Sequence, residues 1–154
     1  MVVAAAFLLP GTAASQDRDT QEVQRYVMTD AALAKYKAAT KKLVVLPGAG
    51  NSCDDEENTG TIAEAVAKID AMPGAKAAIT SSGMTAREYV VFSFAILHNG
   101  LAAWAVSQPG GKLPPGISQA NVDFYKKHAA EIESLPKAEE ADCNEEGAED
   151  DYSE

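Results

Sequence analysis

Through most of the chain, apolar residues recur at intervals of three and four. That is the period of α-helices with one buried face. Leu33, Tyr36, Thr40, Leu43 and Val44 mark a first helix from about Asp30 to Leu46, with Lys35, Lys37, Lys41 and Lys42 elsewhere on its surface. Thr29 stands where an N-cap belongs, Asp30 suits the positive end of the helix dipole, and Pro47-Gly48 stops the helix. Gln21 to Val27 adds a turn or two upstream. The run Leu43–Leu46 has the composition of a strand, but it continues a helical pattern. A second helix starts at Thr61, where Glu64 three residues on completes a capping box, and Ile62, Ala65, Val66 and Ile69 form its apolar face. Pro73 ends it and opens a short helix near 73–82, closed by Gly83.

The third helix, about 85–107, holds the longest apolar run after the N-terminal stretch. Thr85 and Glu88 form another capping box, with Met84 and Tyr89 at the positions of a hydrophobic staple. At 100° per residue, Tyr89, Val90, Phe94, Ile96, Leu97, Leu101 and Trp104 fill one broad arc. The opposite arc holds Arg87, Val91, Ala95, His98, Asn99, Ala102 and Ala105. The large-residue arc is therefore expected to be the buried spine, with Trp104 in the core. The small-residue arc is expected to admit a second helix or a flat ligand. The helix is just long enough to cross a bilayer, but His98, Asn99 and Gly100 fall near its middle, which favours a core helix over a span.

After a Pro/Gly loop from Gln108 to Ile117, Ser118 caps a fourth helix. Val122, Tyr125, Ala129, Ile132 and Leu135 make its stripe, Ile117 and Val122 take the staple positions, and Pro136 ends it. No alternating pattern is long enough to argue for a sheet. The expectation is an all-α fold: a four-helix bundle around a central apolar helix, in one domain over residues 16–137, followed by a disordered acidic tail at 138–154. Residues 1–15 read as a signal-like segment, an apolar run ending at Pro10-Gly11 with small residues following and cleavage near Ala14 or Ser15, though without the usual basic start. That places the protein in the periplasm or outside the cell.

Export changes the meaning of the two cysteines. Cys53 and Cys143 are the only pair, and an oxidising compartment favours a disulfide, closing a loop of 90 residues. Closure of that size stabilises by roughly 4–5 kcal/mol in the chain-entropy picture. Charge separates body from tail. Of 23 acids, nine lie in residues 139–154 with no base among them, leaving 14 acids against 13 bases. A near-neutral body with an acidic tail has no basic stripe for phosphates, so nucleic acid is not an expected partner.

Candidate chemistry is sparse. There are two histidines, no Gly-x-Ser-x-Gly turn, and no acid placed by sequence beside either histidine, so an enzyme is not expected. A helical bundle can hold an apolar ligand or haem b, and His98, Trp104, Met84 and His128 are the candidate ligand-binding residues, with Met28 and Met72 as further possible axial ligands. Covalent haem is excluded by the lack of Cys-x-x-Cys-His. A Cys53–Cys143 bridge would draw Asp54 and Asp55 towards Asp142 and Glu146, a candidate Ca²⁺ site. Neither segment completes a calcium loop: Asp142 onward has Glu146 at the fifth position and Ser153 at the twelfth. The favoured function is a non-catalytic binding or accessory protein that docks on another protein. The alternative is a binder of haem b or another apolar ligand.

Overall fold

The computed structural model describes residues 12–49 and 61–136, with side chains from Gln16 onward in the first segment. Over these residues the fold is all-α, with no strand. Six helices follow in order: α1 Thr12–Arg25, α2 Asp30–Leu43, α3 Ile62–Ala71, α4 Ala75–Thr80, α5 Ala86–Ser107 and α6 Gln119–Glu133. The four expected helices are α2, α3, α5 and α6, and the short one is α4. The element beyond them is α1, a full helix where only a turn or two was expected. It begins inside the signal-like segment, ahead of the expected cleavage point. The tail at 138–154 lies outside the described residues.

Local signals set the helix starts. In α3 the Thr61 hydroxyl accepts from Glu64 N at 3.2 Å, and the Glu64 carboxylate accepts from Thr61 N at 2.9 Å. In α5 the Thr85–Glu88 pair does the same, at 3.1 and 2.7 Å. Those hydrogen bonds to Thr85 hold the Glu88 carboxyl below the usual carboxylate range. Its contribution to the cap is present above that range and lost as pH falls through it. At the other end of α2 the chain departs from expectation. The helix stops at Leu43, and Leu46 N bonds to Leu43 O in a tight turn. Pro47 disfavours helical backbone at the residue before it, and Val45 is left 77% exposed.

The central position of α5 is as expected, for it packs against each of the other five helices. Its buried surface is not as expected. The N-terminal half buries Val90, Val91 and Phe92 against α1 to α4. Tyr36 of α2 stacks on Tyr89 at 4.7 Å and lies 4.9 Å from Phe92, while Tyr26 meets Phe92 edge-on at 5.8 Å. Thr40 and Ser93 take up the hydroxyls of Tyr89 and Tyr36. Burial, with Tyr36 alongside, pushes the Tyr89 phenol well above its ordinary range. From Ala95 onward the buried residues are the small ones: Ala95, Asn99, Ala102 and Ala103. A Cβ added at Gly100 would lie 3.0 Å from the Tyr125 ring, so the absence of a side chain there is what lets that ring of α6 lie against α5. Trp104 is therefore not in the core. It is 66% exposed, and Leu97 and Leu101 are exposed with it. The large-residue arc is not buried along its length, because α6 fits the small surface and no described helix covers the other side.

One side chain fixes the entry of α6. Asn121, 5% exposed, accepts from Met28 N at 3.0 Å and donates to Tyr26 O at 2.7 Å. It thereby satisfies two backbone groups of the α1–α2 connection. Met28, so held, is buried and receives Asn99 Nδ2 at its sulfur at 3.7 Å.

Asn121→Ala is expected to cost about 2–4 kcal/mol, because it orphans buried backbone groups. Phe92→Ala is expected to cost about 3–5 kcal/mol, whereas Leu97→Ala stays below about 1 kcal/mol because its side chain is largely in water already. Urea midpoints of the three variants check this ordering, and a loss at Leu97 equal to that at Phe92 would mean the stripe is covered in solution.

Candidate functional site: an uncovered apolar stripe beside a small cleft

Leu97, Leu101 and Trp104 lie at i, i+4 and i+7 on α5 and are 53%, 58% and 66% exposed. That spacing puts them on one line along the helix surface. Two of the three are leucines on the most apolar element of the fold, and their exposure together is the informative observation, since isolated exposed leucines are ordinary. Between Glu88 and Lys112 the sequence has no Asp, Glu, Lys or Arg. The stripe is thus uncharged along its whole length. Among the described residues α5 is also the one helix long and apolar enough to cross a membrane, and about a third of its apolar window is buried.

Beside the stripe is an open cleft of about 280 Å³ between α1, the start of α3 and α5. Val23, Ile62 and Phe94 supply its apolar lining, and Asp19, Thr20 and His98 its polar lining. Phe94 precedes Leu97 by three residues and His98 precedes Leu101 by three, so helix geometry makes cleft and stripe neighbours. The Asp19 carboxylate is already engaged. It accepts from Ile62 N at 2.7 Å, capping α3 from a different helix, and stands 4.0 Å from Arg87. Arg87 is held mainly by Glu22 of α1, whose hydrogen bonds raise its already high pKa further. These contacts tie α1 to the start of α5 and shape one wall of the cleft.

The four candidate ligand residues do not share one place. Met84 is buried in the main core beside the α5 cap. His98 lines the cleft. Trp104 faces outward near the end of α5. His128 lies on α6, its Nδ1 3.0 Å from Glu131 and its Nε2 3.0 Å from Asp30 of α2. Of the further methionines, Met28 is buried against Asn99, and Met72 caps the end of α3. Among the described residues no group of three His, Cys, Asp or Glu is placed to hold a metal ion. Cys53, Cys143 and the acids Asp54, Asp55, Asp142 and Glu146 lie outside the described residues. Two residues with structural weight carry no strong sequence signal: Asn121, and Asn99, whose amide donates to Ala95 O at 2.7 Å while its buried oxygen has no protein partner. Only their places on the inner faces of α6 and α5 could have marked them.

Trp104 is the chain's only tryptophan, so its emission reports on the stripe alone. Its fluorescence is expected to be red-shifted and readily quenched by iodide. A blue-shifted, protected emission in dilute buffer would show that something covers the stripe.

Comparison with protein-family models, with curated proteins and with solved structures found no match to this chain.

Proposed function

We propose that the chain is a non-catalytic docking protein, working outside the cytoplasm, whose contact face is the Leu97–Leu101–Trp104 stripe. The single observation that supports this reading is the run of three large apolar side chains, each more than half exposed, on the helix that every other helix packs against. An aromatic anchor flanked by leucines is the residue set that dominates binding at protein interfaces, where charged residues are depleted from the centre. The partner suited to it presents an apolar groove or an amphipathic helix, with no demand for opposite charge at the centre. The near-neutral body and the acidic tail support a protein rather than a nucleic acid as partner. The signal-like start motivates the location. The absence of a convergent nucleophile, base and acid in the sequence motivates the non-catalytic reading.

A photo-reactive residue introduced at position 104 in the native host is expected to give a discrete adduct with one partner. The same residue at exposed position Lys126 is expected to give none. Leu101→Asp should abolish the adduct while leaving the helical circular dichroism unchanged. Adducts of the same pattern from both positions, or an adduct indifferent to Leu101→Asp, would reject the docking face.

A further inference from the structure

The cleft beside the stripe has a chemistry that the docking face does not use. Val23 and Ile62, both buried, and the ring of Phe94 give it an apolar side. Its polar side holds Asp19, whose two oxygens are in different situations. Oδ2 is taken by Ile62 N at 2.7 Å. Oδ1 is 4.0 Å from the Arg87 guanidinium, beyond hydrogen-bond reach. Asp19 therefore keeps a charged acceptor oxygen in the cleft wall, on a side chain only 19% exposed. The imidazole of His98, also in the wall, makes no hydrogen bond to another described residue, so its ring is open to a ligand as well.

The charges fixed at these walls select the sign of a ligand. Arg87 is the one cation in contact with them, and it already donates two hydrogen bonds to Glu22. The first turn of α3 would by itself attract an anion. It already faces two carboxylates, however: Asp19 at Ile62 N and Glu64 at Thr61 N. Asp19, Glu22 and Glu64 thus stand against one guanidinium, and the local field repels an anion and attracts a cation.

Size and lining narrow the class further. At about 280 Å³ the cleft lies just under the roughly 300 Å³ at which pockets for drug-sized molecules begin, which suits a ligand of about ten non-hydrogen atoms. Phe94 and His98 favour a ring over a flexible chain, because aromatic faces and edges attract one another beyond the area they bury. We propose that the cleft binds a small arylalkyl amine. Its ammonium donates to Asp19 Oδ1, and its ring lies on Phe94, Val23 and Ile62. This site is separate from the docking face and stands whether or not the stripe binds a partner.

The chain has two histidines, so proton NMR of their imidazoles at fixed pH reads the site directly, with His128 on α6 as the internal control. Phenethylamine added to the full chain is expected to shift the His98 signal to saturation with a Kd of about 0.1–5 mM, the range for so small a ligand in an open site, and to leave His128 in place. Phenylacetate, with the same ring and the opposite charge, should give no saturation up to about 20 mM. Butylamine, with the charge and no ring, should bind more weakly than phenethylamine. Asp19→Asn keeps an acceptor for Ile62 N and removes the charge, and should weaken phenethylamine binding about three- to tenfold. Thr20→Phe, at an exposed position on the rim, should fill the cleft and abolish the shift while circular dichroism stays unchanged. The Thr20→Phe result decides the matter even if Asp19→Asn fails to fold. A full chain with no saturable His98 shift would overturn the site. So would phenylacetate or butylamine binding as well as phenethylamine, or a folded Asp19→Asn or Thr20→Phe variant with unchanged affinity.

Discussion

Two hydrogen bonds from Asn121 organise the arrangement of the helices. They reach from the first turn of α6 to the backbone between α1 and α2, residues more than ninety positions earlier. A buried amide that satisfies one N–H and one C=O at once specifies position more sharply than apolar contact, because a shift of an ångström loses both bonds and leaves the groups dry. With residues 26–28 fixed there, Met28 enters the core beside Asn99, Tyr26 meets Phe92, and α1 lies across the first half of α5. The same contact seats α6 against the second half. What α1 and α6 then leave uncovered is the Leu97–Leu101–Trp104 line.

The central helix changes its buried surface partway along. Its first half inserts Val90, Val91 and Phe92 among short helices that offer aromatic partners. Its second half offers alanines, Asn99 and Gly100 to a single helix that comes close. Side chains of the neighbour, such as the Tyr125 ring over Gly100, fill the room that small residues leave, so a small-residue surface can still make many weak contacts with a helix. The bulky residues of the second half are then surplus to packing, and the cleft lined by Phe94 and His98 marks where one arrangement gives way to the other.

What could be read from the chain was what is decided locally. The Thr61–Glu64 and Thr85–Glu88 boxes and the short helix before Gly83 depend on residues within a few positions, and the structure has them. The α1 helix was mostly missed because SQDRDTQEVQR has one strong apolar position, Val23. Its helix is stabilised from outside, by burial of Val23 and by the Arg87–Glu22 pair. Trp104 was misplaced because a helical wheel ranks faces by hydrophobicity, whereas burial depends on which neighbour arrives and how near it can come. Asn121 and Asn99 have no sequence signature, because their importance lies in backbone groups brought to them from far along the chain.

The uncovered stripe also bears on how molecules of this protein behave towards one another. Apolar contact is short-ranged, while the repulsion between chains of net charge −10 acts at a distance. In dilute salt that repulsion keeps the stripes of separate molecules apart before they can touch. As ionic strength rises the Debye length shrinks to about 8 Å at physiological salt and about 3 Å at 1 M, and the barrier contracts with it. Nine of the 23 acids sit in the last sixteen residues, so much of the colloidal protection of an apolar surface on α5 resides in a segment distant in sequence. Loss of that segment would leave a near-neutral body still carrying Trp104 at its surface, a molecule with the same helices and poorer solubility.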